Sequence, residues 1–259
     1  MARPSASAPV QFAESRAGAS AFDVITVDNL SKRFGDFWAL RGASFSIRRG
    51  EILGLIGPNG SGKTTLFQCF AGIAPATLGV VERDATRVSP DDRKRLLFFV
   101  PDGVRPWTDQ SVAWTLRFIA GVHGASRDSV ETVSSSLGLA PLAGARLREL
   151  SKGEHRRVVL AIGLLTPHPL LMLDEPFDGL DLRQTRDVMA VLRAHAKHRT
   201  LFLSIHQLGD AGRVCDRFVL LSAGRVAGEG TLDELRARAG VAAGGGERVG
   251  LEEVFLALT

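Results

Sequence analysis

A glycine-rich loop, Gly57-Pro-Asn-Gly-Ser-Gly-Lys-Thr-Thr65, lies between the largely apolar run 51–56 and a helix-compatible stretch, 65–71. Its glycines let successive backbone N–H groups point at one phosphate, and the helix start adds partial positive charge. In this pattern Lys63 bridges the β- and γ-phosphates, and the Thr64 hydroxyl ligates Mg²⁺. The loop predicts a triphosphate site with these contacts: Gly57, Pro58, Asn59, Gly60, Ser61, Gly62, Lys63, Thr64 and Thr65.

Two adjacent acids, Asp174 and Glu175, end a second apolar run, 170–173. In α/β proteins, ligands bind at the carboxyl edge of the parallel sheet, where such side chains lie. Asp174 fits a Mg²⁺ shell and Glu175 a position beside an attacking water, because phosphoryl transfer needs an oriented nucleophile and neutralised charge. His206 ends a third apolar run, 201–205, and is placed to hydrogen-bond the γ-phosphate. Hydrolysis is therefore predicted, with Glu175 and His206 as catalytic groups.

The runs that end at these side chains indicate the fold class. Short apolar runs at 170–173, 201–205 and 217–221 are separated by helical stretches. Alternation of this kind is typical of an α/β protein with a mostly parallel sheet covered on both faces.

Two further units are predicted around this sheet. Runs at 24–27, 38–40 and 43–47 predict a small N-terminal antiparallel sheet. Between about residues 103 and 165 the pattern becomes helical, which predicts an inserted helical subdomain. The apolar side chains at helical spacing there are Trp114, Phe118 and Val122.

Composition divides the 259 residues into a disordered tail over 1–21, a main domain over 22–240, and a closing segment, 241–259. The closing segment begins with an Ala/Gly-rich flexible stretch, 241–246, and ends in a helix, 251–258. No apolar run approaches the ~18 residues of a membrane span, so the chain is not expected to cross a bilayer by itself.

Charge and cysteine content narrow the function classes. The net charge is +4, and the arginines are scattered, which favours solvated faces over a nucleic-acid surface. Cys69 and Cys215 lack metal-ligand spacing and predict buried free thiols. The arginine pairs interpreted as solvated are Arg93 and Arg95, Arg146 and Arg148, and Arg156 and Arg157.

A further motif, Ser151-Lys-Gly-Glu154, precedes a predicted helix, 154–165. Together with the glycine loop, the two acids, segment 176–181 and His206, it resembles the nucleotide-binding subunit of ATP-binding-cassette (ABC) transporters. The resemblance covers about residues 21–259, with the motifs in the family's order and spacing.

The resemblance implies a P-loop NTPase core that binds ATP and Mg²⁺. It also implies a head-to-tail dimer of two cassettes, either two copies or two different chains. In that dimer the signature residues of one subunit face the ATP of the other, and Asp181 lies in the loop that crosses between subunits. The signature positions here are Ser151, Lys152, Gly153 and Glu154.

This sequence departs from the family pattern at four positions. Phe34 replaces a tyrosine that stacks on adenine; it keeps an aromatic face, or else packs into the small sheet. Asp102 replaces a glutamine; its carboxylate can approach Mg²⁺ or its waters but cannot donate a hydrogen bond when ionised. Lys152 replaces a glycine, adding charge near the partner's γ-phosphate or pointing to solvent. Glu154 replaces a glutamine and favours the helix N-terminus.

The resemblance also implies a cytoplasmic protein, peripheral on the inner face of the cell membrane through a separate transmembrane permease subunit. That partner is expected to dock near 102–108, where Val104, Pro106 and Trp107 supply apolar contact; burial of Trp107 in the core is the alternative. Two short segments, the Ser-Lys-Gly triplet and residues 251–256, resemble the corresponding segments of bacterial drug and antibiotic exporters.

Import is the alternative direction of transport. A cassette acting on nucleic acid or ribosomes is disfavoured, because the chain has one cassette and no sustained heptads. A regulatory cassette that binds ATP and hardly hydrolyses it is a further alternative.

Overall fold

The computed structural model describes residues 22–240 and 250–259. The predicted disordered tail, 1–21, and the predicted flexible stretch, 241–246, lie outside these residues. Within them, no helix combines the length and the apolar character needed to span a bilayer.

The described chain alternates strands and helices. The strands are β1 (Val24–Phe34), β2 (Phe37–Arg48), β3 (Ile52–Ile56), β4 (Leu78–Arg83), β5 (Thr86–Arg87), β6 (Leu97–Val100), β7 (Leu170–Asp174), β8 (Thr200–Ile205), β9 (Arg217–Ser222) and β10 (Arg225–Gly230). The α-helices are α1 (Lys63–Phe70), α2 (Pro90–Leu96), α3 (Val112–His123), α4 (Arg127–Ser136), α5 (Lys152–Leu164), α6 (Leu182–Ala196), α7 (Leu208–Val214), α8 (Leu232–Ala239) and α9 (Leu251–Leu258).

The larger sheet has the strand order β10-β9-β3-β8-β7-β6. All neighbouring strands pair in parallel except β10, which is antiparallel to β9. Every residue of β3, β7 and β8 is buried, because layers cover both faces of the sheet. The predicted α/β class with a mostly parallel sheet is confirmed, and it places the ends of β3, β7 and β8 at one edge.

Alternate side chains of β3 enter two different cores. Ile52 and Ile56 face the layer of the helical insertion and the C-terminal helices. Leu53 and Leu55 face α1 and the small sheet. This second core is rich in phenylalanine, and the ring centroids of Phe67 and Phe202 lie 4.7 Å apart. Both faces therefore fix the strands that carry the predicted site.

The smaller sheet has the order β2-β1-β4-β5 and is antiparallel, as predicted. The runs 38–40 and 43–47 belong to the single strand β2, not to two strands.

The helical insertion follows β6 and contains α3, α4 and α5. Ser111 and Ser126 cap α3 and α4 with their side chains. Helix α5 packs closely on the sheet, since a Cβ at Gly163 would meet the Leu171 side chain at 3.0 Å. The predicted helix through Trp114 is confirmed.

The apolar residues that predicted α3 do not face the core. Trp114, Phe118 and Val122 are exposed, whereas Leu116 lies on the buried face of the same helix. Burial of Trp107 in the core is also wrong, because its side chain is 42% exposed.

Two of the arginines predicted to be solvated are buried, Arg93 and Arg156. Arg93 donates hydrogen bonds to the carbonyl oxygens of Cys69 and Phe70, where α1 ends. A guanidinium at the C-terminus of a helix satisfies carbonyl groups that the helix leaves unpaired.

Both cysteines are buried free thiols, as predicted, and burial raises the pKa of each.

We expect acid to destabilise the protein through His195, near the end of α6. Burial, with repulsion from Arg199 and His198, lowers the pKa of His195 from 6.5 to about 3. Between these values the unfolded chain binds a proton that the folded chain does not, so the free energy of unfolding falls as the pH falls. At pH ~5 this amounts to about 2 kcal/mol.

The measurement is thermal unfolding between pH ~7.5 and pH ~5 for the wild type and His195→Leu. The wild type should lose more stability over this range than the variant. Parallel pH dependences in the two proteins would contradict the assignment to His195.

Candidate active site

The glycine loop joins β3 to α1 at the carboxyl edge of the large sheet. A Cβ at Gly57 would lie 2.3 Å from the carbonyl oxygen of Leu221, so the loop packs against the end of β9 with no room for a side chain. Gly62, the N-cap residue of α1, has a φ of 106°, and no side chain accepts hydrogen bonds from the N–H groups at the start of the helix. The first N–H groups of α1 therefore remain available to an anion.

Two polar groups inside the loop suit a phosphate. The Ser61 hydroxyl oxygen is buried and has no hydrogen-bond partner among the described residues. The Lys63 ammonium is also buried and donates to the Gly57 carbonyl oxygen at 2.8 Å and to that of Pro58 at 3.3 Å. An unsatisfied buried hydroxyl is costly, so both groups fit a site that receives phosphate oxygens.

The other predicted contacts of the loop lie at its rim. Pro58, Asn59, Gly60 and Thr64 are exposed, and Thr65 is half-buried in the first turn of α1.

The Thr64 hydroxyl and the Asp174 carboxylate form the candidate metal site. Thr64 Oγ1 donates to Asp174 Oδ2 at 3.2 Å, and the Ser204 hydroxyl donates to the other carboxylate oxygen. Asp174 is only 2% exposed, so these bonds hold it in one orientation. A hydroxyl and a carboxylate oxygen in contact are ligands that Mg²⁺ accepts.

No cluster of three or more His, Cys, Asp or Glu side chains suited to a metal occurs in the described part of the chain. Mg²⁺ is commonly held by one or two protein ligands and completed by water and substrate phosphates.

Glu175 projects from the end of β7 in a strained backbone conformation, with a φ of 52°. Its N–H group donates to the Ser204 hydroxyl at 3.0 Å and to the Ser204 carbonyl at 3.2 Å. The carboxylate lies 2.5 Å from His206 Nδ1 and 3.8 Å from Lys63 Nζ. A pocket lined by Glu175, Ser204 and His206 leaves room for about one water molecule beside the carboxylate.

Ser204 was missed as a functional residue in the sequence. It contacts both acids, through the Asp174 carboxylate and the Glu175 N–H group. The available signal was a hydroxyl inside an otherwise apolar strand, Leu201-Phe-Leu-Ser-Ile205.

The signature motif begins α5. Ser151 caps the helix, with its hydroxyl accepting from the Glu154 N–H group while the Glu154 carboxylate accepts from the Ser151 N–H group at 2.8 Å. These reciprocal hydrogen bonds form a capping box and lower the pKa of Glu154. Glu154 therefore lies at the helix N-terminus, and Ser151 is exposed beside it.

The same helix start touches the segment that follows the two acids. A Cβ at Gly153 would meet the Gly179 carbonyl oxygen at 2.9 Å, so only glycine allows this approach. Lys152 is largely exposed, but its ammonium pairs with Asp178 Oδ2 at 2.8 Å. Asp181 caps α6 on the same surface, and its carboxylate accepts from the Gln184 N–H group at 2.8 Å.

The two remaining predicted contacts lie at the periphery of the site. Phe34, at the end of β1, is 53% exposed, with the Lys32 ammonium 4.8 Å from its ring centroid. The alternative that Phe34 packs into the small sheet is therefore wrong. Asp102, after β6, forms an ion pair with Arg156.

Comparison with known proteins identifies the family. The family described as ABC transporter matches residues 40–178. An uncharacterized ABC transporter ATP-binding protein of Methanocaldococcus jannaschii is 32% identical over 82% of this chain and 79% of its own length. The probable multidrug ABC transporter ATP-binding protein YbhF of Escherichia coli is 33% identical over 83% of this chain and 38% of its own.

The sulfate/thiosulfate import ATP-binding protein CysA of Synechocystis is also 33% identical, over 82% of this chain and 61% of its own length. This chain thus spans less than two thirds of YbhF and of CysA.

Solved structures agree with the sequence comparison. The structure of an ATP binding subunit of an ABC transporter has a TM-score of 0.80 and 28% identity, covering 91% of this chain and 99% of its own. The structure of cbiO1 from Clostridium perfringens, part of the ABC transporter complex cbiONQ, has a TM-score of 0.71 and 27% identity, covering 84% of this chain and 92% of its own.

The chain therefore belongs to the ABC transporter family. It is an ATP-binding subunit of such a transporter, and these subunits are ATPases coupled to transport.

We expect Gly57→Ala to weaken ATP binding at least ~10-fold, because the added methyl group pushes against the Leu221 carbonyl oxygen and opens the loop. The measurement is calorimetric titration with a non-hydrolysable ATP analogue. Gly121→Ala is the matched control, since a Cβ at that position in α3 meets nothing within 4 Å. Equal affinity in the two variants would contradict the phosphate-loop assignment.

Proposed function

We propose that this chain hydrolyses ATP at a site completed by a second cassette, and that a separate transmembrane permease subunit converts this cycle into export. The observation that carries the proposal is the convergence of the glycine loop, the two acids and His206 at one edge of the sheet. In this arrangement Glu175 and His206 are the catalytic residues.

ATP is bound first through its phosphates. The Gly57–Thr65 loop surrounds the β-phosphate, and the Lys63 ammonium moves from loop carbonyls to the β- and γ-phosphate oxygens. Phe34 offers its exposed ring to adenine. Thr64 and Asp174 would hold Mg²⁺, which when bound neutralises charge on the phosphate oxygens.

Hydrolysis follows from the position of Glu175. Its carboxylate accepts a hydrogen bond, and then a proton, from a water that attacks the γ-phosphorus. The bond between the γ-phosphorus and the bridging oxygen breaks, giving ADP and phosphate. His206 contacts the Glu175 carboxylate through Nδ1, and with a proton on both ring nitrogens its Nε2 also donates to a γ-phosphate oxygen. Lys63 spreads the charge that develops on the transferred group.

The second cassette is expected to bind across the signature surface. Ser151 is exposed at a helix N-terminus, where a hydroxyl and free N–H groups suit the γ-phosphate on the other subunit. Gly153 keeps this end of α5 against the segment that leads to Asp181. The partner is a second copy of this chain or a different cassette.

The transmembrane partner is expected to dock at residues 102–108. A cleft of about 350 Å³ lies there, lined in part by Val104, Arg105 and Thr108. Beside it, the exposed ring of Trp107 lies 5.1 Å from that of Phe118, which stacks on Trp114. An exposed aromatic cluster of this kind marks an interaction surface. Docking there would hold the chain at the inner, cytoplasmic face of the membrane, and the named membership of cbiO1 in a complex supports such a partner.

Export is supported by the Ser-Lys-Gly triplet, by the ending 251–256, and by the likeness to a protein named as a probable multidrug transporter. The importer CysA matches this chain at the same identity, so import is the competing direction.

We expect Glu175→Gln to reduce ATP hydrolysis by at least ~100-fold, since an amide cannot take up the proton of the attacking water. ATP binding should persist, and the variant should accumulate an ATP-dependent dimer on size-exclusion chromatography. Glu252→Gln, an exposed carboxylate in the first turn of α9, is the control and should behave as the wild type. Absence of both hydrolysis and dimer in the wild type, with ATP and Mg²⁺, would favour a regulatory cassette instead.

Direction is tested with the chain and its transmembrane partner in inside-out vesicles, where the cassette faces the bath. With a fluorescent lipophilic cation as the probe, ATP should drive uptake into the lumen, and the Glu175→Gln complex should not. ATPase activity that depends on a binding protein enclosed in the lumen would contradict export.

A further inference from the structure

Arg156 joins three separate parts of the chain. It lies in the first turns of α5 and is 8% exposed. One guanidinium nitrogen, Nη2, pairs with Asp102 and lies 3.7 Å from Asp178 Oδ2. The other, Nη1, donates to the main-chain carbonyl of Asp174 at 3.4 Å. A buried guanidinium therefore connects the end of β6, the segment after the two acids, and β7.

The carbonyl that Arg156 contacts belongs to the peptide group between Asp174 and Glu175. The N–H group of that same peptide donates to Ser204. Arg156 and Ser204 thus bind the carbonyl and the N–H group of the same peptide. Glu175, whose backbone conformation is strained, follows directly after this peptide carbonyl. Such strain persists only where the surrounding contacts enforce it, and Arg156 supplies one of these contacts.

The charges around Arg156 balance in this arrangement. Asp102 and Asp178 supply two carboxylates, and Lys152 pairs with Asp178, which lowers the pKa of that acid. Asp178 is therefore already engaged, and Asp102 is the carboxylate that neutralises Arg156. Asp102 itself is 48% exposed and precedes segment 103–108, so it joins a solvent-accessible turn to a buried cation.

We propose that Arg156 is a positioning residue for hydrolysis, which transmits the placement of the Asp102 turn to the peptide that orients Glu175. The inference rests on the proposed function and deepens it. Asp102 then acts on Glu175 through Arg156, so the two residues together position the peptide that orients Glu175.

The test is a double-mutant cycle of Asp102→Gln and Arg156→Gln in the full chain, with steady-state ATP hydrolysis as the readout. Arg156→Gln should lower kcat about 10-fold or more and leave the KM for ATP within about 2-fold, because the phosphate loop is untouched. Asp102→Gln should lower kcat about 3-fold in the wild type and have no further effect in the Arg156→Gln background.

Arg148→Gln is the matched control. Arg148 also forms an ion pair with an aspartate, Asp109, but the pair is exposed on the helical insertion. Its kcat should stay within about 2-fold of the wild type, since exposed ion pairs contribute little. If Arg156→Gln fails to fold, as judged by thermal unfolding, Arg156→Lys retains the charge but not the forked contact and should show the same loss of kcat at constant KM.

The inference is overturned if the wild type hydrolyses ATP and Arg156→Gln matches it, or if Asp102→Gln lowers kcat by the same factor in both backgrounds. A wild type that does not hydrolyse ATP overturns the proposed function itself and this inference with it. A rise in the KM for ATP at constant kcat also overturns it, since that result assigns Arg156 to binding.

Discussion

The parallel pairing of β3, β8 and β7 is the constraint on which the site depends. Because the three strands run in the same direction and end at the same edge, the residues that follow them meet: the glycine loop, His206 and Glu175. Both faces of these strands are covered by apolar layers, so the edge cannot shift without opening two cores. Burial of ordinary aliphatic side chains thereby stabilises a costly concentration of charge.

That charge is stabilised locally by hydrogen bonds rather than by solvent. Asp174 is buried but accepts from the hydroxyls of Thr64 and Ser204, and the Lys63 ammonium is held by loop carbonyls and lies near Glu175. Buried ionised groups require such partners, because desolvation without them is expensive. The two acids are therefore held in position before a phosphate arrives.

A second layer of charges connects this site to the surface. The Lys152–Asp178 and Asp102–Arg156 ion pairs lie at positions where the family pattern has uncharged residues at 102 and 152. The charged replacements therefore do not act as isolated changes, since each finds a counter-charge within the chain. They link the start of α5 to the segment after Asp174 and Glu175 and to the turn after β6.

The sequence by itself determined the phosphate loop, the paired acids and His206, because each directly follows a short apolar run that can be recognised as a strand from the local sequence alone. It also indicated the α/β class and the helical insertion. Only the tertiary structure revealed the contacts of Ser204 and Arg156, and it excluded the alternatives in which Trp107 and Phe34 are buried. The physical reason is distance along the chain: Arg156 and Asp102 are 54 residues apart, and their contact exists only once α5 packs against the sheet. Local patterns specify elements, whereas counter-charges between remote elements are settled by packing.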